Sequence, residues 1–413
     1  MDLPAIGKAL DASLAQGRLD LQGLPHTRRT KRGTIIPRFL KGFWLRLFDS
    51  NGRLIENIDP TCLLFLRTLL YIGKKVRMDC APRYVLNTVK EYYDVEKSLP
   101  QPDSFWTSDP GVDDPAINRS ETWTLGTMFP GVRFLSDDAG NQPASGGTRS
   151  LASLDDIQRW LDILATGIGY LEDSDLVPKH GPGAVSEKAK DGYKYNFPSW
   201  NPRLESLFPF SDWGTHSVDS FLVGSLPVLY PPLEDSASKL IAVPKTQKGP
   251  RLIASEPICN QWMQQAVAGA LRDRIASGLL GRSIDFFDQT PSQVDALESS
   301  RTGERATIDL SSASDRLTCN LVQCVFRRNL RLLDLLRVTR TPYLENHTWP
   351  DFPARIALKK FASMGSALTF PVQSIVFTMI AAAYGCAVHG ESLRSALDQI
   401  RVFGDDIIIP VAW

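Results

Sequence analysis

Residues 401–410 read Arg401-Val402-Phe403-Gly404-Asp405-Asp406-Ile407-Ile408-Ile409-Pro410. Two β-branched or aromatic runs flank Gly-Asp-Asp, the pattern of a β-hairpin with two carboxylates at its tip. Adjacent acids at a turn are ordinarily solvated turn residues, and average composition gives a bare Gly-Asp-Asp in about one chain in ten of this length. The hairpin therefore gains meaning only from what precedes it. Residues 407–413 are apolar on both faces, so this strand needs partners on each side.

Residues 305–315 supply a partner: Arg305-Ala306-Thr307-Ile308-Asp309-Leu310-Ser311-Ser312-Ala313-Ser314-Asp315, a short strand ending in an acid, then a serine-rich helix start. Asp309 closes a strand expected to be buried, where an unpaired carboxylate is expensive. Taken alone, the same acid also reads as a helix N-cap. Neighbouring strands lie about 4.8 Å apart, so Asp309 beside the Asp405-Asp406 tip gathers three carboxylates. Such a group repels itself unless cations bind, and oxygen-rich sites favour Mg²⁺ or Mn²⁺. Two such ions about 3.5–4 Å apart can activate an attacking hydroxyl and stabilise a leaving pyrophosphate.

Two further segments add polar groups of the right kind. Ser363-Met364-Gly365-Ser366-Ala367-Leu368-Thr369-Phe370 joins an expected hairpin at residues 356–361 to an uncharged helix. Gly365 would let the backbone approach a ligand closely. Thr369 and Gln373, four apart, share one helix face and could meet a nucleotide sugar; in isolation they equally relieve an apolar run. In Ile241-Ala242-Val243-Pro244-Lys245-Thr246-Gln247-Lys248-Gly249-Pro250-Arg251-Leu252-Ile253-Ala254, cations recur at every third residue, with no acid until Glu256. Lys245, Lys248 and Arg251 together could neutralise a triphosphate; alone, the segment reads as a surface turn.

Composition sets outer limits. Hydrophobic residues at 43% and charged residues at 22% exclude wholesale disorder. The 46 Lys and Arg balance 46 Asp and Glu, so any nucleic-acid surface must be a local basic patch. Cys62, Cys80, Cys259, Cys319, Cys324 and Cys386 form no C-x-x-C pair, which argues against a zinc module or disulfide framework and suits a reducing cytoplasm. The first 17 residues lack the basic-then-apolar order of a signal peptide. Residues 367–388 carry no charge, but Pro371, Gln373, Ser374 and Gly385 interrupt them and no aromatic belt flanks them. A buried core helix in a soluble chain is expected there, not a membrane span.

The N-terminal part is less specific. Arg28, Arg29, Lys31, Arg32, Arg38, Lys41 and Arg46 lie within residues 27–46 without an acid, interleaved with Phe39, Phe43 and Trp44. Such a mixture grips phosphates and stacks on bases, or it is a solvated arm whose aromatics enter the core. Residues 55–98 read as helical, residues 99–148 as a long irregular connection, and residues 151–171 as a helix capped by Ser153.

Taken in chain order, V-P-K-x-x-K-x-x-R, D-L-S-x-A-S-D, S-M-G-x-x-x-T-F and F-G-D-D-I-I resemble motifs F, A, B and C of viral RNA-dependent RNA polymerases. They resemble most closely the replicase catalytic (beta) subunit of the single-stranded RNA bacteriophages, the leviviruses. The resemblance is close over about residues 240–410; His180-Gly181-Pro182-Gly183-Ala184 is also similar to that family.

The resemblance implies an α+β right-hand polymerase, with an N-terminal fingers region at 1–235, a motif F fingertip and following helix at 236–300, and a palm with an antiparallel sheet at 301–413. Asp309 and Asp405 would be the main metal ligands for two Mg²⁺ or Mn²⁺ ions, with Asp406 close by. Asp315, Thr369 and Gln373 would sense the ribose 2′-hydroxyl, with Ser363 and Gly365 beside the nucleotide. Lys245, Lys248 and Arg251 would hold the triphosphate, and Arg28, Arg29, Lys31 and Arg32 would touch RNA. The implied partners are RNA template and product, nucleoside triphosphates and host elongation factors Tu and Ts with ribosomal protein S1, in the cytoplasm of a bacterial host. It also implies further palm and a thumb beyond Trp413. A reverse transcriptase is disfavoured by glycine at 404, where an aromatic-x-Asp-Asp turn is usual. A non-catalytic RNA-binding protein would leave the acids without a role.

Overall fold

The computed structural model describes residues 3–19, 35–72, 80–108, 123–135, 151–187, 194–195, 197–215, 236–246 and 249–413. These divide into two units, Met1–Val89 with Ala242–Arg251, and Lys90–Ile241 with Leu252–Trp413. Arg28, Arg29, Lys31, Arg32 and Lys248 lie outside the described residues.

The first unit is built on helices α1 (Leu3–Gln16) and α2 (Pro60–Tyr71), with the start of α3 (Pro82–Ser98). Pro60 presets the first turn of α2, and the Asp59 carboxylate accepts from the Thr61 N–H at 2.9 Å. Leu66 and Leu70, four apart on one face of α2, meet Ile6 and Leu10 of α1. Trp44 is fully buried in the same core, with Phe39 and Phe43 packed against it, while Arg38, Lys41 and Arg46 are exposed. These aromatics are thus core anchors and not a base-stacking surface.

The second unit has a helical core, two small sheets and the greater part of a third. β1 (Arg133–Leu135) pairs antiparallel with β2 (Leu151–Ser153), which leads directly into α4 (Leu154–Ile168). A reciprocal capping box starts α4: Ser153 Oγ accepts from the Asp156 N–H, and the Asp156 carboxylate accepts from the Ser153 N–H. Those hydrogen bonds hold the Asp156 carboxyl below its ordinary pKa. The helix is three residues shorter at each end than the periodicity suggests, because 151–153 is captured as a strand and Gly169, at φ 79°, ends the helix.

Strands β3 (Ala237–Thr246), β4 (Gly249–Ser255), β6 (Tyr343–Glu345) and β7 (Arg355–Ala357) form a mixed sheet in the order β4-β3-β6-β7. β3 runs parallel to β6, and β6 antiparallel to β7. The hairpin expected at residues 356–361 is therefore absent; residues 355–357 pair back to 343–345 instead. The third sheet, order β5-β9-β8, joins β5 (Arg305–Asp309), β8 (Arg401–Phe403) and β9 (Asp406–Pro410), all antiparallel. β9 is central, so the partners required on each side of it are β5 and β8 of this same chain. With the helices, these sheets make the fold α+β.

Around the sheets lie α5 (Ile258–Ser277), α6 (Thr290–Thr302), α7 (Cys319–Phe326), α8 (Leu330–Thr339), α9 (Thr369–His389) and α10 (Leu393–Gln399). By length and composition, α9 could cross a membrane, yet 72% of its apolar window is buried inside the fold. Val372, Ile375, Val376 and Met379 have no exposed surface, and α9 packs along α4. Each such side chain contributes about 1.5–3 kcal/mol by leaving water. It is the core helix the interrupted sequence anticipates.

Candidate active site

The hairpin tip is set by glycine. Gly404 has φ 67°, and Gly404 and Asp405 form the two-residue loop between Phe403 and Asp406, a position that favours glycine first. A Cβ on Gly404 would stand 2.9 Å from the Phe370 ring, which packs edge-on to Phe403 at 4.9 Å. The Gly404 N–H donates to Ser374 Oγ at 3.0 Å, and that hydroxyl donates to the Phe370 carbonyl at 2.9 Å. The first turns of α9 thus hold the tip of the acidic hairpin.

Register then brings the third acid in. Asp309, the last residue of β5, is the direct partner of Asp406, the first residue of β9. Cross-strand Cα atoms are about 4.5–5.5 Å apart and consecutive ones about 3.8 Å, so the three acids fall within about 10 Å. Side chains directly opposite share a face. Partial desolvation of a side chain that remains exposed, together with the like charges of Asp405 and Asp309, pushes the Asp406 carboxyl above its ordinary pKa, against a 2.9 Å hydrogen bond from Gln289 Nε2. A cleft of about 280 Å³ opens beside them, lined by Gln289, Ser292 and Gln293 and by Thr307, Asp309 and Asp406 of the sheet.

Asp309 does not close a buried strand. β5 is an edge strand and its terminal acid is exposed, as are Asp405 and Asp406. The three acids cluster because register forces it, not because burial traps a carboxylate. Among the described residues, no three His, Cys, Asp or Glu side chains converge closely enough to hold a metal ion as they stand. Three exposed carboxylates at adjoining strand ends, with mutual repulsion at Asp406, nevertheless supply the oxygen donors a dication takes.

The segment at 363–373 is more internal than its sequence suggests. Gly365 has φ 126°, and a Cβ there would lie 1.9 Å from the Ala254 carbonyl oxygen. Ala254 N–H donates to the Met364 carbonyl at 2.7 Å, so the backbone of β4 makes a close approach to this glycine, which keeps an exposed face. Thr369 Oγ1 donates to the Ser363 carbonyl at 2.7 Å, and both Thr369 and Gln373 are buried. Asp315, on a short 3-10 turn, accepts at Oδ1 from Lys360 Nζ at 2.9 Å. Lys245 and Arg251 lie in the part of the β3–β4 hairpin grouped with the first unit. Sequence reasoning missed Gln289, Ser374 and Lys360; the Lys359-Lys360 pair just before Ser363 was the available signal for the last.

An edge-to-centre pair of antiparallel strands thus presents acids at one end, next to a cleft, as oxygen donors. The sequence comparisons give that arrangement a family: residues 234–413 match the family described as RNA replicase, beta-chain. The chain is 35% identical over 173 residues to the RNA-directed RNA polymerase subunit beta of Escherichia virus Qbeta, a match covering 42% of this chain and 27% of that one. It is 33% identical over 172 residues to the RNA-directed RNA polymerase beta chain of Escherichia phage MS2, covering 41% and 28%. The resemblance to levivirus replicase beta subunits is thus real over the C-terminal part, and the chain spans little more than a quarter of the length of these curated relatives.

Proposed function

We propose that this chain acts in template-directed RNA synthesis from nucleoside triphosphates, with the β5-β9-β8 sheet as the palm of a right-hand polymerase. The observation that carries this reading is the pairing of Asp309 with Asp406 beside the Gly404-Asp405 turn, inside the stretch that matches the replicase family. Asp309 and Asp405 would hold two Mg²⁺ or Mn²⁺ ions, with Asp406 adjacent. Bound there, the ions would activate the attacking 3′-hydroxyl and stabilise the departing pyrophosphate.

The chain's own groups do the positioning. Ser374 fixes the turn, Gln289 orients Asp406, and the cleft between α6 and the sheet gives access to Asp309 and Asp406. Lys245, Lys248 and Arg251 would meet the triphosphate, and Asp315 with Ser363, Thr369 and Gln373 would form the ribose side of the pocket. RNA and nucleoside triphosphates are the proposed partners, and the bacterial cytoplasm the proposed location. The test is incorporation of labelled nucleotide on a primed RNA template with Mg²⁺ or Mn²⁺. Incorporation that ignores chelation of the metal, or that persists in Asp405→Asn, would refute the reading.

A further inference from the structure

Lys360 has no exposed surface, which for a lysine is costly unless its charge is matched. Its ammonium lies 2.9 Å from Asp315 Oδ1, 3.4 Å from Glu96 Oε2 and 3.5 Å above the centre of the Tyr92 ring. Burial alone would lower its pKa; Tyr92, Asp315 and Glu96 together raise it, so the ammonium stays charged. Tyr92 and Glu96 stand four apart on α3, on one face of the helix.

The two carboxylates are not equivalent. Glu96 is nearly buried, with 5% of its side chain exposed, and it also accepts from the main-chain N–H groups of Lys359 and Lys360. That acid alone neutralises the lysine and clamps its backbone. Asp315 is the surplus acid, and with 25% of its side chain exposed it is the one member of the cluster open to solvent. The same platform reaches the neighbouring polar residues. Tyr92 Oη and Ser363 Oγ are 3.0 Å apart, and Thr369 Oγ1 donates to the Ser363 carbonyl. One buried cation therefore fixes one accessible carboxylate beside the two hydroxyl residues assigned to the ribose side of the pocket.

We infer that Lys360 is a positioning residue for sugar selection: it holds the Asp315 carboxylate in one orientation, so that the pocket prefers a ribonucleoside triphosphate to its 2′-deoxy counterpart. This rests on the polymerase reading and on Asp315 as the ribose contact. Lys360 itself touches no substrate.

The experiment compares equilibrium binding of ATP and 2′-deoxy-ATP, with Mg²⁺ and a primed RNA template, by the full chain and its variants. The unaltered chain is expected to prefer ATP by about tenfold, the value of one hydrogen bond to a charged group. Lys360→Met should bring that ratio to within about twofold of one, Asp315→Asn should do the same, and the double variant should go no further. Lys360→Met leaves Glu96 without its counter-charge and can fail to fold, so Lys360→Met with Glu96→Gln, which removes both buried charges, serves beside it. A purely structural lysine would change the melting temperature and leave the ratio alone. A ratio near one in the unaltered chain, or an unchanged ratio in folded Lys360 variants, overturns the inference and leaves the polymerase reading standing. Absence of binding by the folded, unaltered chain overturns both.

Discussion

Asp309 and Asp406 are directly opposed residues of the β5–β9 pair, each at the end of its strand where the ladder opens to solvent. Like charges in that relation destabilise a sheet. Gln289 offsets part of the repulsion from one side only. The pair is therefore a local cost to folding, which a dication bound there would reduce.

Replacing Asp405 tests that chemistry most directly. The side chain is exposed at a turn, so Asp405→Asn should change stability by less than about 0.5 kcal/mol. RNA synthesis should fall at least a thousandfold, because the amide keeps the shape and loses the charge. Thermal melting and primed-template incorporation, measured on the same preparation, check both halves.

Protons and cations should compete at Asp406. Its folded pKa is raised by burial and by Asp405 and Asp309. The folded chain thus binds this proton more tightly than the unfolded chain does, and the associated stability is lost as pH rises through the raised pKa. Metal binding has the opposite sign: affinity for Mn²⁺ should rise as pH climbs through that raised pKa. Titrating Mn²⁺ by calorimetry between pH 4 and 7 should show this rise, and Asp406→Asn should flatten it.

The hairpin, its glycine and the acid-terminated strand were legible from residues 305–309 and 401–410, because alternation and turn chemistry are local. The core helix was legible too, since an uncharged run broken by Pro371 and Gln373 can be satisfied inside a protein. Burial of β5 was not legible: which strand becomes the edge depends on pairing partners far along the chain. The packing role of Gly365 was not legible either, for the same reason. Its missing side chain makes room for the Ala254 carbonyl, more than a hundred residues earlier. Lys360 escaped notice because adjacent lysines ordinarily lie on the surface, and only the fold brings Glu96 and Asp315 to one of them.

Gly365→Ala should be severely destabilising. The Cβ would meet the Ala254 oxygen at 1.9 Å, and φ 126° is strained for any residue with a side chain. A cost of about 3 kcal/mol or more is expected from strain and overpacking together. Gly269→Ala is the control: it lies inside α5 with no atom within 4 Å of the added carbon. That change should be neutral or stabilising by up to about 1 kcal/mol. Urea midpoints of the two variants separate the effects.

Glu256 gives the fold a pH dependence of its own. Burial pushes its carboxyl up to about 7, against hydrogen bonds from Thr341 and Gln264 and the charge of Arg340; Glu187 adds to the rise. Because the folded pKa exceeds the unfolded one, stability should decline as pH rises from about 4.5 to about 7 and then level off. The full effect is about 3 kcal/mol. Glu256→Gln, which cannot ionise, should lose this decline and gain on the parent most above pH 7. Parallel slopes for both proteins in urea titrations from pH 5 to 8 would count against it.

The last prediction concerns the residue that holds the tip. Ser374 is fully buried; its hydroxyl takes the Gly404 N–H at 3.0 Å while giving its own proton to the Phe370 carbonyl. In Ser374→Ala the Gly404 donor, itself buried, loses its acceptor, at a cost of about 1–3 kcal/mol. Gly404 and Asp405 make up the whole loop, so the loss falls on the backbone that aims the acid. Catalysis is sensitive to displacements of about 1 Å, and the turnover rate should drop by about tenfold or more while the KM for nucleotide stays near its original value. Ser374→Thr keeps the hydroxyl and should recover most of the rate if the extra methyl is accommodated. A Ser374→Ala protein that melts several degrees lower yet turns over at the original rate would show that the hydrogen bond serves the fold alone.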